Sequence, residues 1–279
     1  MNFLKSFFAS ILGTLTALGL FFVIVLLFIS GIASIMSAPS GGNSIKQNSV
    51  LTLDLNLPIV DRAPSFDELQ ILLGLEDKVL GLPDIISAID KASENQNIKG
   101  IRLRADFISA GWAQTRSIRN ALSRFKESGK FIYAYADVFT QKGYYLASIS
   151  DSIYLNPVGI LEFKGLASEV LYYKDFQDEY GVKMEVIRHG KYKSAVEPYL
   201  ENEMSSDNRY QIKTLLDDIW KTIREEIAQE RNLDPKILDK IINNQRITIP
   251  EDGVQEHLID ALVYEDDFDE KIKMQLEIS

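Results

Sequence analysis

From Phe7 to Met36 no position is charged, and Leu, Ile, Val and Phe fill most of them. Roughly 20 apolar residues cross a bilayer, so this stretch predicts a transmembrane helix with length to spare. Lys5 stands before it and the next basic residue is Lys46. Positive charge marks the cytoplasmic side, which leaves the rest of the chain outside the cytoplasm. A cleaved secretory signal is the rival reading, with small residues at 34–38, but its apolar core would span only about 7–15 residues. Residues 1–36 are therefore read as an uncleaved anchor that meets lipid through 7–36. Residues 37–48, with Pro39, Gly41 and Gly42, read as a flexible linker, and an ordered domain follows over 49–279.

Beyond the linker the period shortens. Residues 50–56 (VLTLDLN) alternate apolar and polar side chains, the pattern of a strand. After a polar, irregular stretch, residues 83–94 place Ile85, Ile86, Ile89 and Ala92 at helical spacing. Residues 99–105 (KGIRLRA) alternate again. A helix over 112–128 uses Ile118, Ala121, Leu122 and Phe125, with Gly129 where a left-handed residue ends it. Residues 131–136 predict a third strand, 144–149 a helix, and 152–157 a short strand ended by Pro157. One more strand is expected at 183–188 (KMEVIR).

The last third turns helical. Residues 207–231 set Ile212, Leu215, Leu216, Ile219, Ile223 and Ile227 on one stripe, with Ser205 or Ser206 to cap it. Asp234 and Pro235 open a short helix to Ile242, and a final helix and strand lie within 254–263. Strand, helix, strand at this spacing predicts an α/β fold of parallel βαβ units with right-handed crossovers, preceded by one transmembrane helix and followed by a helical C-terminal extension.

Composition narrows the function. The chain has 279 residues and a formal net charge of -10, so it lacks the basic surface of a nucleic-acid binder, and no nucleic-acid partner is expected. It has no cysteine, which excludes disulfides, thiolate nucleophiles and zinc–thiolate sites. His189 and His257 are the two histidines, leaving few bases for a Ser-His-Asp triad and few ligands for a metal. Phosphate-binding, zinc-hydrolase, nucleophile-elbow and EF-hand motifs are all missing, so neither cofactor nor metal is expected.

Residues 189–199 (HGKYKSAVEPY) stand out. A lysine acts as a general base only when its surroundings strip enough water from the ammonium to release the proton near neutral pH. On chemistry alone the commoner reading of Lys193 is a solvated surface lysine. Ser194 cannot be its partner, because adjacent side chains point in different directions. His189 reads as a polar loop residue and His257 as the residue that ends a helix.

Gly190, Tyr192, Lys193, Ser194, Ala195, Glu197 and Pro198, with Tyr199, resemble the G-x-Y-K-S-A-x-E-P-F segment of signal peptide peptidases of the protease IV type. Residues 98–103 (IKGIRL), 125–130 (FKESGK), 144–148 (YYLAS), 153–157 (IYLNP) and 258–260 (LID) resemble further segments of that family, in the same order. The resemblance implies a Clp protease/crotonase-like fold and a Ser/Lys dyad, with Lys193 as the general base. It implies peptide substrates, the remnants of cleaved signal peptides, and an oligomer, a tetramer, whose active sites form between domains and open towards the membrane. The location it implies is the bacterial inner membrane, with the main domain periplasmic.

The nucleophile is another matter. The family's serine lies in a segment like A-A-S-G-G-Y-Y, and residues 139–145 (FTQKGYY) put Gln141 in its place. The glycine-rich oxyanion loop is also missing, since residues 105–111 (ADFISAG) hold one glycine. Lysine kept and serine lost is the pattern of the N-terminal half of the family's long form. The chain is therefore expected to be half of an active site, inactive alone, with a C-terminal domain supplying the serine and Ser279 marking a truncation or a split. A catalytically silent membrane scaffold of the same fold is the alternative. A crotonase-like acyl-CoA enzyme would need the glycine-rich loop and no anchor, and fits neither.

Overall fold

A computed structural model describes residues 2–36, 45–64 and 79–277. The chain divides into two units, Met1–Ile45 and Lys46–Ser279. In the first, helix α1 (Asn2–Met36) runs through the whole apolar segment. Its span Phe3–Gly31 has a mean hydropathy of 2.7 and none of it is buried against protein. A helix apolar on all faces and uncovered by protein fits a membrane anchor. Most of the expected linker, residues 37–44, and residues 65–78 of the polar stretch lie outside the described residues.

The second unit is built on five parallel strands in the order β1 (Ser49–Asp54), β4 (Ile98–Arg104), β5 (Phe131–Phe139), β6 (Ser152–Leu161) and β7 (Ala261–Leu262). Strands β2 (Ile59–Val60) and β3 (Leu80–Gly81) pair separately. The register lines up the alternating apolar residues: Leu53 with Leu103, Leu103 with Ala134, and Ala134 with Ile153. Ile101, Leu103, Ile132, Ala134, Ile153 and Leu155 are fully buried. Helices α2 (Leu82–Glu94), α3 (Trp112–Glu127) and α4 (Gln141–Ala147) contribute to the same core through Ile89, Ile118, Leu122, Phe125 and Tyr144. Burying each such side chain contributes roughly 1.5–3 kcal/mol, which is why the apolar stripe settles these helices.

Several expectations need correction. Strand β6 does not end at Pro157 but continues to Leu161. Between the pairs Ala136–Leu155 and Val138–Ile160, β5 advances two residues and β6 five. Pro157 thus sits in a bulge, where its missing N–H breaks no ladder bond. Helix α7 (Ser206–Glu230), which follows α5 (Lys174–Tyr180) and α6 (Glu197–Leu200), buries only the C-terminal half of its stripe: Ile223 and Ile227 are in the core, whereas Leu215 is exposed. Asp234 caps α8 (Pro235–Asn243) as expected, and α9 (Pro250–Gln255) ends before His257, whose φ is +57°. A further helix, α10 (Glu265–Gln275), packs Phe268 and Ile272 on Tyr135 across the other sheet face.

Candidate functional site

Residues 183–188 form no strand. The backbone N–H groups of 183–189 have no backbone partner among the described residues, and Ile187 is fully exposed. Alternation encodes the capacity to pair, but a strand also needs a partner, and among the described residues no strand pairs with 183–188. The extended segment leads into a turn at Gly190, whose φ of +98° suits a residue with no Cβ. The Lys193 N–H donates to the Gly190 carbonyl at 3.3 Å. The Lys193 side chain is exposed and makes no hydrogen bond or ion pair with any described residue. The dry surroundings that a base needs are therefore not supplied by this chain's described residues.

Glu197 stands four residues after Lys193, at the start of α6. It is 1% exposed, between neighbours that are open to water. Ser205 Oγ donates to its Oε1 at 2.5 Å, while Asn208 Nδ2 and Ser205 N donate to Oε2 at 2.9 and 3.3 Å. Arg188 Nη1 lies 3.8 Å from the carboxylate and also donates to the Lys193 carbonyl at 3.4 Å. Burial pushes the Glu197 carboxyl up, but the hydrogen bonds from Ser205 and Asn208, with the Arg188 charge, outweigh it and hold the group below the ordinary carboxylate range. Ser205 in turn accepts from Asn208 N at 3.2 Å as the N-cap of α7.

Gln141 opens α4 at the carboxyl end of β5. Its Oε1 accepts from two consecutive backbone groups, Lys164 N and Gly165 N, each at 3.0 Å. Its Nε2 is buried without a partner among the described residues. Two N–H donors converging on one point demand an oxygen, so the amide is doing what a short serine hydroxyl could not reach to do. Nearby, Asn56 Oδ1 accepts from Asp106 N and Phe107 N at 3.0 and 3.2 Å. The buried Asp106 accepts from Asp137 N at 2.9 Å and Asn56 Nδ2 at 3.0 Å. The N–H groups at the start of the 105–111 loop are thus spent inside the protein. No side chain in this cluster is a nucleophile poised beside a base.

Sequence reading singled out Lys193 and Gln141 but missed Asn56 and the burial of Glu197. The signal for Glu197 lay in the motif itself, since a carboxylate four residues after the lysine is one of its fixed letters. Among the described residues no cluster of three or more His, Asp or Glu side chains could hold a metal.

Comparison with known proteins gives the geometry its context. The model of peptidase family S49 matches residues 124–279. Protease 4 of Haemophilus influenzae is 33% identical over 233 residues, covering 80% of this chain and 37% of that protein. The chloroplastic serine protease SPPA of Arabidopsis thaliana is 27% identical over 232 residues, covering 83% of this chain and 33% of that one. This chain thus spans little more than a third of the length of these relatives. A solved membrane-bound stomatin-specific protease overlays with a TM-score of 0.41 at 12% identity, over 81% of this chain and 85% of that one, too loosely to bear on the site.

Proposed function

The chain belongs to peptidase family S49, and on that premise we propose that it is the lysine-bearing half of a membrane-anchored serine endopeptidase of the protease IV (SppA) type. Lys193 is the general base, and the serine comes from a second domain of the same fold. The observation that carries this reading is the pairing of an intact lysine turn with an amide, Gln141, in the nucleophile's place. An amide oxygen tied to Lys164 N and Gly165 N has no proton to give up and no freedom to attack a carbonyl.

The reaction follows from that division. The partner's serine hydroxyl transfers its proton to the unprotonated Lys193 amine as the oxygen attacks a peptide carbonyl. The Lys193 ammonium returns that proton to the peptide nitrogen as the C–N bond breaks and the amine product leaves, and water, deprotonated by Lys193, then hydrolyses the acyl-enzyme and frees the serine. Docking of the partner over the exposed turn would strip water from Lys193 and lower its proton affinity. Leu171, Phe176, Tyr180, Val182, Ile187 and Tyr192 are exposed around the turn, a run of apolar surface that supports burial in an oligomer, a tetramer in this proposal. In this proposal the enzyme sits at the bacterial inner membrane, N-terminus cytoplasmic and main domain periplasmic, where cleaved signal peptides are left as apolar, extended substrates; the apolar helix α1 and the lysine before it support that reading.

The test uses the full chain in detergent with a fluorogenic apolar peptide. Alone it is expected to show no turnover. Mixed with the remaining, serine-bearing portion of a long relative, it is expected to cleave. Lys193→Ala should then lower kcat by about 10²–10⁴-fold, the usual worth of a general base. Turnover by the mixture that survives Lys193→Ala would sink the dyad. Failure of every such mixture to cleave favours the silent scaffold, the reading to which the internally spent N–H groups around Asp106 and Gln141 also lend support.

A further inference from the structure

We propose that Glu197 is the positioning residue for Lys193: its buried carboxylate, bridged by Arg188 to the Lys193 carbonyl and bonded to Ser205 and Asn208, clamps the lysine turn onto the N-terminus of α7. The role rests on the reading of Lys193 as the base, but the clamp itself is a statement about geometry that stands apart from it.

The turn has little else to hold it. Residues 189–193 are exposed throughout and form neither helix nor strand. Within the turn the main chain makes one long bond, Lys193 N to Gly190 O. Lys191 reaches Asp207 at 3.5 Å, an exposed ion pair of the kind that contributes little. Glu197 differs in kind. It is buried, its ionised carboxylate accepts three hydrogen bonds from Ser205 and Asn208, and the Arg188 guanidinium lies 3.8 Å away as an ion-pair partner. Charge-assisted hydrogen bonds are about twice as strong as neutral ones. The carboxylate also lies beside the N-terminus of a 25-residue helix, where a negative charge is favoured. On the loop side, Arg188 spans Glu197 and the Lys193 carbonyl, so the two ends of the turn are tied to one group. Beneath it, Tyr173 N donates to the Pro198 carbonyl at 2.6 Å and Gln177 Nε2 to the Tyr199 carbonyl at 3.0 Å, which secures the far end of the short helix α6. The chain in this way fixes the main chain of Lys193 while leaving its amine free. A base that must meet a serine from another domain needs that arrangement, because its position is set before docking and its dryness by docking.

Limited trypsin digestion of the full chain in detergent tests the clamp, because Arg188, Lys191 and Lys193 are all cleavage points within the turn. Glu197→Ala is expected to speed cleavage at these three points at least about tenfold, with the sites in α7 and the sheet unchanged. Glu197→Asp, which keeps the charge, should return most of the resistance, and Arg188→Ala should reproduce the loss at Lys191 and Lys193. Unchanged cleavage in Glu197→Ala, or acceleration spread evenly over the domain, would overturn the proposal. In the cleaving mixture described above, Glu197→Ala should lower kcat while leaving KM near its original value, and Glu197→Asp should recover kcat. An effect confined to KM would also overturn it. Lys193→Ala leaves resistance at Arg188 and Lys191 intact, so failure of the dyad and failure of the clamp give different results.

Discussion

Gln141 shows how one residue changes the meaning of its surroundings. An oxygen placed 3.0 Å from both Lys164 N and Gly165 N satisfies two donors, of which the one on Gly165 is half-buried and the one on Lys164 belongs to an exposed residue. Leaving such donors unmade costs more than a bond contributes when formed. Gln141→Ala is therefore expected to lower unfolding stability by about 2 kcal/mol, read from urea midpoints at constant slope. A change below about 0.5 kcal/mol would mean that water replaces the amide without loss. Gln141 could be read as a missing serine from its neighbours in the chain. Its new task could not, because Lys164 and Gly165 lie more than twenty residues away.

Among the elements, α4 illustrates how tightly backbone approach limits the site. Gly143 sits in its first turn, and a Cβ there would lie 2.2 Å from the Ala105 carbonyl oxygen and 3.0 Å from that of Asp106. Both obstacles are backbone, so neither can swing aside. Gly143→Ala should destabilise the domain by about 3 kcal/mol and push α4, with Gln141, away from the 105–111 loop. Thermal unfolding followed by circular dichroism checks this, and an unchanged midpoint would contradict the packing. Local patterns sufficed for β4, α2 and α3, since each has one buried stripe with the period of its own element. They failed for 183–188, where the alternation is as clear but no strand pairs with the segment among the described residues. They failed again at Pro157, because a bulge on β6 removes the penalty that proline would otherwise impose. Helix α10 went unread, although acids at 265–267 and the spacing of Phe268 and Ile272 carry its signature.

The chain divides into an apolar N-terminal helix and a domain with its own core. Among the described residues, the two buried apolar clusters are built from residues within 46–279. Removal of residues 2–44 is expected to leave the far-ultraviolet circular dichroism of the domain intact and its Tm within about 2 °C, while the protein moves from the detergent to the aqueous phase. A large fall in Tm would show that α1 contributes to folding. The sequence by itself determined the long apolar helix, the parallel strands and the turn that carries Lys193, because each is encoded by a period or a motif within a few neighbouring residues. Only the tertiary structure decided that Lys193 is exposed, that Glu197 is buried against Ser205 and Asn208 and that Gln141 accepts from Lys164 N and Gly165 N. Those outcomes depend on burial and on hydrogen bonds between segments that no local pattern brings together.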